Sequence, residues 1–209
     1  MSISKGHVTA ANRLAISAGL STKITHHLLN ATEIGALQSA PFSGAYSCEV
    51  LSEIPDDGLR ACFTALHDTL PPGAEFSYAD IVSTEATGTK SSRKSSDPSQ
   101  GFYKRLLLMI APTAITMLWG DDWRPVSRFN SLLTQAGFEV LSTESIGDRV
   151  FVPTWDYARE NLRKQPKLGM DSIFKGWLMR LLTRASLGGL ALLWENGQID
   201  YVLVKARRV

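Results

Sequence analysis

Cysteine is nearly missing from this chain: two in 209 residues, Cys48 and Cys62. Neither belongs to a C-x-x-C pair, and the four histidines share no metal-ligand spacing with them, which excludes a disulfide framework and a cysteine-ligated zinc site. Both read as buried free thiols in a reducing compartment. Charge of one sign is also missing. Lys and Arg number 22 against 20 Asp and Glu, a formal charge of +2, too small to argue for nucleic acid. The surplus sits in Lys90, Arg93, Lys94, Lys104, Arg105 and the tail Lys205, Arg207 and Arg208, which reads as solvated surface. Long apolar runs are absent as well. The longest, Leu106 to Trp119, is interrupted by Pro112 and is shorter than the roughly 20 residues that cross a bilayer. The opening MSISKGHVTA has no apolar core, so the expectation is a cytoplasmic protein without a secretory signal.

What is present suits one α/β domain. Hydrophobic residues make up 44% and charged residues 20%, enough for a sizeable core with a soluble surface. Val8, Ala11, Leu14, Ala15 and Ala18 recur at helical spacing between Ser4 and Gly19, predicting a helix over 7–19. Ile24 to Leu29 reads as a short strand ending at Asn30. His26 and His27 within it point to opposite faces and cannot easily share a metal; both read as structural. His67 reads as exposed, and His7 has no partner signal. Further strands are expected near 45–50, 75–81, 138–144 and 199–205, with helices over 57–70, from Pro125 to Ala136, over 154–164 and over 171–186. Thr84 to Gln100 is rich in Ser, Thr and Lys and reads as a mobile loop. There is no internal repeat.

The most informative stretch is AYSCEVLSEIPDDGLRACFTALHDTLPPGAEFSYADIVS, from Ala45 to Ser83. A strand leads into Glu49-Val-Leu-x-x-Ile-Pro-Asp56. A helix follows with Leu59, Cys62, Phe63, Leu66 and Leu70 on one face, then the turn Leu70-Pro-Pro-Gly73 and a strand closing on Asp80. This strand–helix–strand order builds parallel sheets. It also resembles the second half of the class I S-adenosylmethionine (SAM)-dependent methyltransferase core. There the passage runs roughly S-x-E-V-L-x-H-I-x-D, a helix, L-K-P-G-G and a strand ending in Asp. Phe129-x-x-Leu-Leu-x-x-Ala-Gly-Phe-Glu-Val resembles the family's later helix and strand, and Asn196-Gly-Gln-Ile-Asp-Tyr-Val-Leu-Val resembles its reversed last strand. Upstream, Ser4, the alanine-rich helix, Gly19-Leu20 and Asn30-Ala31 resemble the passage after the family's second strand.

The resemblance implies a Rossmann-like sheet, mostly parallel with an antiparallel last strand, and lacking its first strand or strands. The family's G-x-G-x-G turn has no counterpart before Ser4. Its adenine-reading Asp is Asn30, its E-V-L-x-H-I histidine is Glu53, and L-K-P-G-G is Leu70-Pro-Pro-Gly-Ala74. By position, Asn30 and Ala31 would border the adenine, and Ser47 and Cys48 the sulfonium. Glu49 and Asp80 would be the carboxylates at the catalytic edge, against the plainer readings of a helix-start residue and a cap or loop residue. No metal is implied. Insertions at 101–120 and 154–193 would cover an apolar acceptor; they read equally as core, and Lys175, Arg180 and Arg184 beside the second leave a membrane-surface helix open. The implied function is methyl transfer from SAM to carbon, oxygen or nitrogen of a small, largely apolar molecule, by an N-terminally incomplete domain expected to bind SAM weakly or not at all when alone. A non-catalytic partner subunit, or a fold reused for cyclisation or isomerisation, are the alternatives. Self-association or a partner supplying the missing strand would complete the sheet, with no nucleic acid and no membrane span.

Overall fold

The computed structural model describes residues 1–37, 42–84, 123–164 and 189–209. The loop expected beyond Thr84, the apolar segment 101–120 and the helix 171–186 fall outside the described residues.

Pro55 ends an extended segment, and Asp56 and Asp57 place negative charge at the start of helix α2 (Asp56–Thr69), where the peptide dipoles favour it. Its stripe of Leu59, Cys62, Phe63 and Leu66 is buried. Helix α3 (Val126–Gln135) begins after Pro125 and buries Phe129, Leu132 and Leu133. Gly137 closes it at φ 90°, a conformation that glycine adopts without the Cβ penalty. Before these lie α1 (Lys5–Ser17) and a 3₁₀ segment at Ala31–Ala36. Helix α4 spans Gly147–Lys164, and residues 189–195 are helical.

Among the described residues four strands form one sheet: β1 (Gly44–Cys48), β2 (Glu75–Ser83), β3 (Phe138–Ser145) and β4 (Ile199–Arg208), in the order β1-β2-β4-β3. β1 and β2 are parallel, and β4 runs antiparallel to both β2 and β3. Of the described strands β1, β2 and β3 therefore point one way and β4 is reversed, as expected for the last strand. Nine residue pairs tie β2 to β4, which explains why β2 runs on to Ser83 rather than ending at Asp80. A Cβ on Gly44 would lie 2.8 Å from the Glu75 carbonyl oxygen, so the first residue of β1 sits against β2 only as glycine.

One face of the sheet carries Phe76, Tyr78, Val82, Val202, Val204 and Ala206 against the apolar stripes of α2 and α3. The other carries Ala79, Ile199 and Tyr201 against Phe151 and Leu193.

Three expectations fail. Residues 24–29 join no strand of the sheet; Leu28 makes a single parallel bridge to Ser2. Cys48 is exposed while Cys62 is buried: among the described residues β1 is an edge strand, and its alternation faces Cys48 outward. Burial pushes the Cys62 thiol up to about 11. His67 is half-buried: its ring meets Phe138 edge-on at 5.7 Å, and Arg208 Nε donates to its Nε2 at 3.4 Å. Helix α1 forms as the spacing predicts, with Ser4 as N-cap, but of its apolar positions only Ala15 is buried, and Leu14 and Ile16 are exposed.

Candidate functional site

The site is at the carboxyl end of β1, where the chain leaves the sheet for α2. In open α/β sheets this edge is where ligands sit. Among the described residues Glu49 is the only non-glycine with a positive φ, 52°. A left-handed backbone at a residue with a Cβ costs on the order of 1–2 kcal/mol, so its neighbours must hold it. Its backbone N–H donates to the Ala79 carbonyl at 2.9 Å, extending the β1–β2 ladder by one bond. On the sequence that follows, Asp80 Oδ2 accepts from the N–H groups of Leu51 at 2.9 Å and Ser52 at 3.2 Å. Asp80 is 1% exposed. Burial raises its carboxyl pKa above the ordinary value, and the bonds from Ser52, Ile81 and Leu51 partly offset this.

On the opposite face Tyr201 completes the arrangement. Its hydroxyl donates to Glu49 Oε1 at 2.9 Å and lies 3.9 Å from Cys48 Sγ. The ring is buried and meets Phe151 edge-on at 6.1 Å. Burial, then the Glu49 carboxylate, push the phenol pKa far up, so it stays a donor. Tyr46 also faces this side, two residues before Cys48 and opposite Ser77. Hydrogen bonding to Cys48 raises its phenol, with burial a lesser cause.

The structure therefore brings together Cys48, Glu49 and Tyr201. Asp80 lies across the sheet from them and reaches the same corner through the backbone of residues 51–52. Ser47 pairs in register with Tyr78 and Cys48 with Ala79, so the two adjacent candidates face opposite sides. Asn30 caps the 3₁₀ segment: its Oδ1 accepts from Thr32 N–H at 3.1 Å. Near the other end of that segment Gly35 faces Thr69, the last residue of α2. That end of the segment therefore lies beside the end of α2.

A second clamp holds the start of α2. Arg124 Nε lies 2.8 Å from Asp56 Oδ1, and Arg128 Nε donates to Asp56 Oδ2 at 2.8 Å. The Arg128 hydrogen bond is the main cause of a lowered Asp56 pKa. Among the described residues no group of three or more His, Cys, Asp or Glu is placed to hold a metal ion, and no helix is long and apolar enough to cross a membrane.

Sequence reasoning missed Tyr201. The alternation of β4 marks it as inward-facing, but only the pairing of Ile81 with Tyr201 places its ring beside the end of β1.

No family model matches the chain, and no curated protein matches it. Solved structures do. A cyclopropane synthase of Mycobacterium tuberculosis matches with a TM-score of 0.70 at 13% identity, over 99% of this chain and 68% of its own. A geranyl diphosphate C-methyltransferase of Streptomyces coelicolor, solved with S-adenosyl-L-homocysteine, matches at 0.63 and 13%, over 99% and 63%. A [4+2]-cyclase matches at 0.65 and 18%, over 99% and 64%. The chain has the fold of the class I SAM-dependent methyltransferases and spans about two-thirds of the length of these structures.

Proposed function

We propose that this chain carries the acceptor side of a SAM-dependent methyltransferase that modifies a small, largely apolar molecule. The observation that carries the reading is Glu49, held in a left-handed conformation at the carboxyl edge of a methyltransferase sheet. Strain of this kind persists only where surrounding contacts over-determine it, and it collects at working sites. When bound, SAM supplies an electrophilic methyl group on a sulfonium. The described residues fit its two ends: an exposed carboxylate for the cation at Glu49, and the Asn30 side chain for the adenine edge, with Ala31 beside it.

In this reading Ser47 and Cys48 border the cofactor on β1, and Glu49 orients the acceptor or takes its proton. Asp80 works from behind, fixing the turn that follows Glu49. Transfer to carbon, oxygen or nitrogen is equally served by this geometry. The two free thiols suit a reducing, cytoplasmic setting.

Among the described residues nothing pairs with the outer edge of β1. We propose that a parallel strand from a partner or a second copy covers it. Open edges invite such pairing, and about a third of the length of the matched structures lies outside the part this chain spans. A second reading, cyclisation or a non-catalytic role on the same fold, is favoured by the [4+2]-cyclase among the matches.

Equilibrium dialysis against methyl-labelled SAM tests the cofactor. The chain alone should retain it weakly, with an affinity on the order of millimolar. Asn30→Ala should weaken retention further by about 1–2 kcal/mol. Retention that no Asn30 substitution affects would remove Asn30 from the site, and no retention by the chain, alone or with a strand-supplying partner, would remove SAM from the account.

A further inference from the structure

Glu49 and Tyr201 are 152 residues apart in sequence, yet they share a hydrogen bond of 2.9 Å. The two partners differ in freedom. Tyr201 is 4% exposed, its ring wedged edge-on against Phe151 and its backbone paired in β4 opposite Ile81. Glu49 is exposed and stands beyond the last residue of β1. An exposed glutamate ordinarily spreads over many rotamers, and fixing it costs side-chain entropy. Here a rigid, buried donor aims at one carboxylate oxygen of a residue whose backbone is itself fixed at a positive φ of 52°. Cys48 Sγ, 3.9 Å from the same hydroxyl, flanks the pair.

We propose that Tyr201 is a positioning residue that fixes the Glu49 carboxylate where it favours the positively charged sulfonium of SAM over the neutral thioether of S-adenosylhomocysteine. This rests on the methyl-transfer reading above and goes beyond it, because it assigns the choice between cofactor and product to one side-chain pair. The physics is that of a single fixed charge. A carboxylate within several ångströms of the sulfur attracts the sulfonium and gains nothing from the thioether. A carboxylate free to rotate into water gives up most of that difference. The site would then release the spent cofactor as the charge disappears. The buried Tyr201 phenol remains protonated across the working pH range, which keeps it a donor throughout.

The test is a pair of NMR titrations, one with SAM and one with S-adenosylhomocysteine, on the wild-type chain and on Tyr201→Phe, Glu49→Gln and the double variant. Tyr201→Phe keeps the ring in its pocket, and the amide fingerprint checks that each variant is folded. The readout is the ratio of the two dissociation constants, not turnover. Preference for SAM should fall about tenfold in Glu49→Gln and about threefold in Tyr201→Phe. The double variant should match Glu49→Gln, because Tyr201 acts through Glu49. An unchanged ratio in Tyr201→Phe, or a further fall in the double variant, would overturn the positioning role while leaving the methyl-transfer reading intact. If neither compound binds any form, with the β1 edge open or covered by a strand-supplying partner, the methyl-transfer reading falls and this inference falls with it.

Discussion

Asp80→Ala is expected to lower the unfolding free energy by about 2–6 kcal/mol, since it strands two buried N–H groups at about 1–3 kcal/mol each. Leu51 and Ser52 both donate to Asp80 Oδ2, and both residues are buried. Without the carboxylate the turn after β1 has no described acceptor for these groups, and Glu49 loses its downstream support. Asp80→Asn should cost less, about 1 kcal/mol, because the amide oxygen can take the place of Oδ2; the remaining cost is the Ile81 N–H, which loses its Oδ1 acceptor to a second donor. The pH dependence has a definite sign. Burial raises the folded-state pKa of Asp80, so the native state holds this proton more tightly than the unfolded chain does. Its contribution is then most favourable at pH below the ordinary carboxyl value and declines as pH rises through the raised one. Asp56, with its lowered pKa, contributes in the opposite sense: its support is present above the ordinary value and is lost as pH falls. Urea unfolding of wild type and Asp80→Asn over a pH series separates the two, since only the decline with rising pH should vanish in the variant. An Asp80→Ala protein within about 0.5 kcal/mol of wild type would mean the turn is held by something else.

Phe63→Ala should be the costliest core substitution, at about 3–5 kcal/mol. Phe63 is fully buried and its ring lies 6.1 Å from that of Phe76, so truncation opens a cavity between α2 and the sheet. Leu14→Ala, of similar chemistry but on α1 and 69% exposed, should stay within about 0.5 kcal/mol of wild type. Chemical denaturation of both variants checks the contrast. Comparable losses at the two positions would show that α1 packs on a surface that the present contacts do not reveal.

How much of this was legible depended on whether the signal is local. The unit from β1 through α2 to β2 could be read because its alternation, its Pro55 stop and its Leu59, Cys62, Phe63, Leu66 stripe all lie within forty residues. The side that Asp80 faces was also within reach. It shares parity with Phe76 and Tyr78, the apolar face, and this points to a buried clamp rather than a group open to a ligand. Other features were not local. Ile24 to Leu29 has the composition of a strand, but a strand needs a neighbour, and among the described residues only Ser2 supplies one. The exposure of Cys48 follows from β1 being an edge, a property of the sheet order and not of the segment. The meeting of Glu49 with Tyr201 requires the register of β2 on β4, and no spacing in the sequence encodes that. The resemblance supplied the fold and the positions of Asn30, Ala31, Ser47 and Cys48. It did not supply Tyr201.

The most direct measurement of the account is a titration of the isotope-labelled chain with SAM, followed residue by residue through its backbone amides. Shifts concentrated at Asn30 and Ala31, and at Ser47, Cys48 and Glu49, are the predicted result, because the cofactor would lie along the carboxyl edge between the 3₁₀ segment and β1. Shifts confined to the opposite edge of the sheet, around Gly44 and Gly73, or none up to the solubility limit of SAM in a folded chain whose β1 edge is covered, would contradict it.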